Sequence, residues 1–286
     1  MASPVTVSVD VDEAAAFFRD PPWRGGAQRY RVGLSPIETR DWLPDAASPA
    51  DIERKLRLYR SCFQDVMAQT PAGERFVPVL IERLQGFLGE RGVPTPDAGF
   101  GPLADAALWV PDDLCLMVKT AGLWRLEAAS LCAPSFWTLR DKLGASLTGL
   151  HEGHEGLNEL LADRMQAVFE RLPEDRVLER RNWFLYGPSD LYEPLDREIE
   201  QPRKLTELGI RTERQTLRRL APHCILFTIR VRQLPFRLIE DYPTAAADMA
   251  KSVRALTPAE WLAFSQRHRT EELLHYLDRL ALTEAC

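Results

Sequence analysis

Residues 113–132 read DLCLMVKTAGLWRLEAASLC, and this stretch decides the fold. Segment 114–119 (LCLMVK) and segment 123–132 are short, apolar and bounded by turn residues, with Thr120, Ala121 and Gly122 between them. Two such runs across a tight Gly-containing connection predict an antiparallel hairpin. Working outward, residues 106–111 are expected to form a strand before the hairpin. Three more strands are expected after it, at 181–186 (RNWFLY), 210–219 (IRTERQTLRR) and 224–232 (CILFTIRVR).

Helical periodicity brackets these strands. Residues 1–47 read as irregular, punctuated by Pro21-Pro22, Gly25-Gly26 and Pro36,. Ser48, Pro49 and Asp51 then form a helix-start signal, followed by Ile52, Leu56, Tyr59, Phe63 and Val66 at three- and four-residue spacing,. Phe76, Leu80, Leu84 and Phe87 mark a second helix that Gly92 and Pro94 stop,. A third, at 157–172, carries Leu157, Leu160, Leu161, Met165, Val168 and Phe169 on one side. Near the C-terminus, Thr257-Pro258-Ala259-Glu260 is a capping box, with Leu256 and Trp261 placed as a hydrophobic staple,. The sum is an α+β fold, a central antiparallel sheet with helices around it. It is expected as one domain over 1–286, with N-terminal loop and helices at 1–100, the sheet core at 101–240 and C-terminal helices at 241–286.

Composition bounds the function. The 286 residues carry 36 Lys and Arg against 42 Asp and Glu, a net charge of −6. That balance argues against a general nucleic-acid binder. No apolar run is long enough to span a membrane, and the start MASPVTVSVDVDE lacks a signal pattern,. A cytoplasmic location is expected. The five cysteines are scattered outside any CxxC pattern, so free thiols are expected and an iron–sulfur or zinc-ribbon site is not,.

The strand at 211–219 is unusual, since every residue but Leu217 is polar or charged. Alternation puts Glu213, Gln215, Leu217 and Arg219 on one face and Arg214, Thr216 and Arg218 on the other. So many charges are costly to bury unless they meet partners or a ligand, although a solvated edge strand would carry them freely. Arg230 ends the apolar run ILFTIR, either at a pocket or in a structural salt bridge. The sequence has five histidines, and His151 follows the apolar stretch Leu147 to Leu150. His151 and His154, with Glu152 and Glu155 beside them, are also spaced to share a metal ion. Cys132 reads as a thiolate ligand or as a small buried apolar residue.

Four blocks carry a family resemblance. They are GLSPIETRDWL at 33–43, the run from Asp113 to His151, RRNWFL at 180–185, and the run from Arg211 to Arg230. In order and spacing, over about residues 30 to 240, they resemble the haem-binding alpha subunit of a haem-dependent oxidative N-demethylase. The resemblance implies a PAS-like sheet enclosing haem b, with His151 as proximal ligand and His154 or Cys132 as alternatives. It implies oxidative N-demethylation of a small secondary amine with O2. Electrons would come from flavin and 2Fe-2S groups on partner reductase subunits. On this reading Arg214 and Arg218 meet haem propionates, Gln215 and Trp183 line the cofactor pocket, Glu213 balances the amine's charge, and Arg230 polarises O2. Ser135, Phe136 and Trp137 are cavity wall or core. A haem-binding gas or redox sensor, or a non-catalytic assembly subunit, is the alternative.

Overall fold

The computed structural model describes residues 11–27, 33–150, 164–187, 191–194, 204–262 and 264–282. The hairpin forms as expected. β3 (Asp113–Thr120) and β4 (Leu123–Ser130) pair antiparallel from Leu114↔Ser130 to Thr120↔Leu123. A two-residue connection needs left-handed backbone at both positions, and Ala121 (φ 49°) and Gly122 (φ 80°) supply it,.

Three further long strands follow, β5 (Val177–Tyr186), β6 (Gly209–Ala221) and β7 (Cys224–Pro235). Two three-residue edge strands, β1 (Ser35–Ile37) and β2 (Met67–Gln69), flank the sheet. The spatial order is β1-β5-β6-β7-β3-β4-β2, and every neighbouring pair is antiparallel. The fold is α+β. Among the described residues, no helix is long and apolar enough to cross a membrane.

The helices are α1 (Val11–Arg19), α2 (Pro49–Val66), α3 (Pro71–Glu74), α4 (Val77–Gly89), α5 (Pro102–Leu108), α6 (Leu139–Lys142), α7 (Leu147–Leu150), α8 (residues 164–171), α9 (Pro243–Arg254), α10 (Pro258–Leu262) and α11 (Thr270–Ala281). Ser48 caps α2 with a reciprocal Asp51 bond. Thr257 and Glu260 close the second box through bonds of 2.7 and 3.3 Å. Leu256 packs on the core, but Trp261 stays 39% exposed, so the staple is only half engaged.

Two expectations need correction. Residues 106–111 are not a strand, because α5 and the turn after it occupy them. Pro102 starts that helix, and Leu103, Ala104, Asp105, Ala106, Ala107 and Leu108 are all buried. A helix buried on every side shows no 3.6-residue apolar stripe, so its sequence reads like a buried strand. Nor is the N-terminal segment wholly irregular. α1 buries Ala14, Phe17 and Phe18, and the last of these stacks on Tyr242 at 4.5 Å.

Each face of the sheet has its own core. On one face, Trp42 and helices α4 and α5 cover Leu114, Leu116, Val177, Leu220 and Leu226. Beyond them on the same face, α1, α9 and α11 cover Trp183, Leu185, Ile210 and Leu234. The other face carries Cys115, Met117, Leu217, Ile225 and Phe227. It is covered by Leu139, Leu147 and Leu150 before the undescribed stretch 151–163, and by Met165, Val168, Phe169 and Leu172 after it.

Candidate functional site

Asp113 sets the entrance to this second face. Its carboxylate accepts the backbone N–H groups of Cys132 and Ala133, both at 2.8 Å, and turns the chain leaving β4. Burial pushes its carboxyl up, against the pull of Lys55 and Arg54. The turn lays residues 133–136 over β6, where Arg211 is buried to 2% exposure. Arg211 donates to the carbonyls of Ala133 (2.9 Å), Pro134 (3.1 Å) and Leu191 (3.1 Å) and to Ser135 Oγ (3.1 Å).

Ser135 in turn donates to Glu213 Oε1 at 2.7 Å, and Gln215 Nε2 donates to Glu213 Oε2 at 2.8 Å. Glu213 is thus a buried carboxylate held from both sides. Strand register surrounds it. Glu213 faces Asn182 on β5 and Val231 on β7, while Gln215 faces Arg180 and Ile229. Directly paired residues of an antiparallel ladder point to the same side. Leu178, Leu217 and Phe227 therefore continue the apolar part of this face, and Phe184 shares it with Arg211. Phe184 stacks on Tyr186 at 5.5 Å, and Tyr186 meets Phe136 edge-on at 4.9 Å.

Arg180 is the residue that sequence reasoning passed over. Among the described residues it makes no hydrogen bond or ion pair, and its buried Nε has no partner. Burial pulls its guanidinium below the usual arginine range, and the Glu213 charge opposes that shift. The only sequence signal for it was parity: Leu178, Arg180, Asn182 and Phe184 alternate onto one side of β5.

The remaining predicted residues lie on the opposite face. Arg214 bonds the carbonyls of Trp42 (2.9 Å) and Asp41 (2.6 Å) and pairs with Glu179 at 2.5 Å. Arg218 lies over the Trp42 ring at 4.2 Å. Trp183 is core, with ring centroids 5.5 Å from Trp23 and 6.1 Å from Phe264. Arg230 faces Arg214 across the ladder and approaches Asp45 at 3.9 Å. These four therefore lie across the sheet from Glu213 and Gln215, as strand parity expects for Arg214 and Arg218.

Cys132 packs against Tyr59, Val66, Ala104 and Leu108, and burial pushes its thiol up to about 12. A thiol so placed stays protonated at neutral pH, which makes it a poor ligand. His151 and His154 lie outside the described residues. Among the described residues no cluster of three or more His, Cys, Asp or Glu is placed to hold a metal ion.

A family model described as haem-dependent oxidative N-demethylase, alpha subunit-like, matches residues 88–275. The matched span takes in all five long strands, starting later and running further than the resemblance over about 30 to 240. Comparison with curated protein sequences returned no match.

Proposed function

Since the chain belongs to the haem-dependent oxidative N-demethylase, alpha subunit-like family, we propose that it binds haem b and oxidatively demethylates a small secondary amine with O2. The family match is the observation that carries this reading. Partner subunits bearing flavin and 2Fe-2S groups would deliver the electrons, and residues 1–286 would act as one cytoplasmic haem-binding unit.

The second face suits such a group. Leu178, Leu217, Phe227 and Ile229 make that side apolar, next to Arg180, whose buried Nε has no partner among the described residues. In favour of a PAS-like sheet is the order of the long strands. Counted one to five along the chain they lie 2-1-5-4-3, with helices inserted between the second and third.

His151 is the proposed proximal ligand. Leu150, its covalent neighbour, packs against the apolar cluster that holds Leu217, and the chain returns to the same cluster at Met165. When bound and reduced, haem supplies the oxidative chemistry toward the amine. Glu213 would balance the charge of the protonated amine. Ser135 and Gln215 hold both of its oxygens, so its direction is set before a cation arrives,. Phe184 stands on that side as an aromatic contact for the cation,. Gln215 orients Glu213, and Arg211 fixes the turn over it.

The test is a spectrum of the purified chain, oxidised and reduced, with and without CO, followed by formaldehyde release from an amine series. A Soret band that shifts with CO and is lost in His151→Ala is expected. A chain that takes up no haem after reconstitution overturns the proposal.

A further inference from the structure

We propose that Arg180 is the anion-binding residue of this site and receives a carboxylate side chain of the bound porphyrin. The inference rests on the haem reading above and goes beyond it by assigning a residue.

Three observations converge on Arg180. First, its Nε is buried with no partner, a condition rarely left unresolved in a folded protein,. A guanidinium is not deprotonated in proteins, so losing its proton cannot relieve that cost. Second, among the described residues the one carboxylate whose charge reaches it, Glu213, is turned to other donors. Glu213 accepts from Ser135 and Gln215 and makes no ion pair with Arg180. Third, Arg180 sits at a boundary. Gln215 lies opposite it on β6, and Leu178 precedes it on the same side of β5, facing Leu217.

Leu178 also lines an open groove of about 440 Å³, with Pro36, Val168 and Leu172 as its apolar wall and Arg171 and Arg176 beside them. A flat apolar ligand lying along that wall would bring an acidic edge to Arg180. The planar guanidinium fork matches a carboxylate in two parallel hydrogen bonds. Arg214 and Arg218, first expected in this role, lie on the opposite face of the sheet, Arg214 paired with Glu179 and Arg218 over the Trp42 ring.

The experiment loads the full-length chain with iron protoporphyrin IX or with its dimethyl ester, whose carboxylates are capped. Release of each porphyrin to an excess of apomyoglobin is followed for wild type, Arg180→Leu and Arg180→Lys. Wild type should release the ester roughly ten- to a hundredfold faster than the acid, as charge-assisted bonds imply. Arg180→Leu should release the acid several-fold faster and leave the ester's rate unchanged, and Arg180→Lys should fall between. The unloaded Arg180→Leu chain should melt no lower than unloaded wild type, because no protein partner is lost. A purely structural arginine would lower that melting point.

Arg180→Leu that discriminates acid from ester as fully as wild type, or speeds both releases equally, overturns the inference. So does a wild type that holds both porphyrins alike, which leaves the haem reading intact. A wild type that loads neither porphyrin overturns the haem reading and this inference with it.

Discussion

Arg214 and Arg230 stand directly opposite each other across the β6–β7 ladder, on the face of the sheet turned away from Glu213. Like charges so paired repel, and each is balanced separately. Arg214 leans on Glu179 at 2.5 Å, while Arg230 has Asp45 at 3.9 Å and the charge of buried Asp112. The pair explains why so charged a strand tolerates burial.

The pH dependence of stability should show Asp112. Burial raises its carboxyl to about 6, from an ordinary value of 3.8, against the pull of Arg230 and Lys55. The folded state therefore binds this proton more tightly than the unfolded chain does. Its ionisation costs stability above about pH 6, and the cost fades as pH falls toward 4,. Asp112→Asn should be more stable than wild type at pH 7, by on the order of 2 kcal/mol. That gain should vanish near pH 4, as measured by urea unfolding across the range.

Lys55 is wholly buried, and its ammonium donates to the carbonyls of Ala107 (2.7 Å), Val110 (2.9 Å) and Asp112 (2.7 Å). These carbonyls end α5 and lead the chain into β3. Lys55→Met leaves them without a donor and should destabilise the chain by about 3 kcal/mol. Denaturant titration gives the value, and an unchanged midpoint would count against this account.

Glu213→Gln keeps the volume and removes the charge. Under the proposed function, KM for the amine should rise by roughly tenfold or more, the scale of one charged hydrogen bond. Haem content and the CO-bound spectrum should stay at wild-type levels. A variant with unaltered KM would remove Glu213 from substrate binding.

Two glycines should respond oppositely to alanine. A Cβ on Gly73 would overlap the Glu127 carbonyl, where α3 lies against β4. Gly73→Ala should destabilise by about 2 kcal/mol through forced displacement. Gly86 lies on the exposed side of α4 with open space around the same position. Gly86→Ala should stabilise by about 0.5 to 1 kcal/mol. Thermal melts of both variants decide the pair.

The β3–β4 hairpin, the strands at β5, β6 and β7, and the caps at Ser48 and Thr257 were legible because their signals are local. Turn residues, alternation and capping bonds act over a few positions. Even the division of β6 was readable, since parity alone parts Glu213 and Gln215 from Arg214 and Arg218. Helix α5 was not legible, because burial on all sides erased its period. Arg180 was passed over for a related reason. Nothing in RRNWFL says which of two adjacent arginines is engaged, and Arg181 is the one that pairs with Asp20 and Glu179.

By itself, the sequence determined the α+β class, the long strands after residue 112 and the parity of each strand, since backbone sterics and side-chain alternation are properties of neighbouring residues. Only the tertiary structure decided which parity faces the candidate cavity. That depends on where Trp42, α4 and α5 dock and on where Asp113 turns residues 133–136, contacts between positions far apart in the chain. Docking paired Arg214 with Glu179 and laid Arg218 over Trp42 on one face, and left Arg180 on the other with no hydrogen bond or ion pair among the described residues.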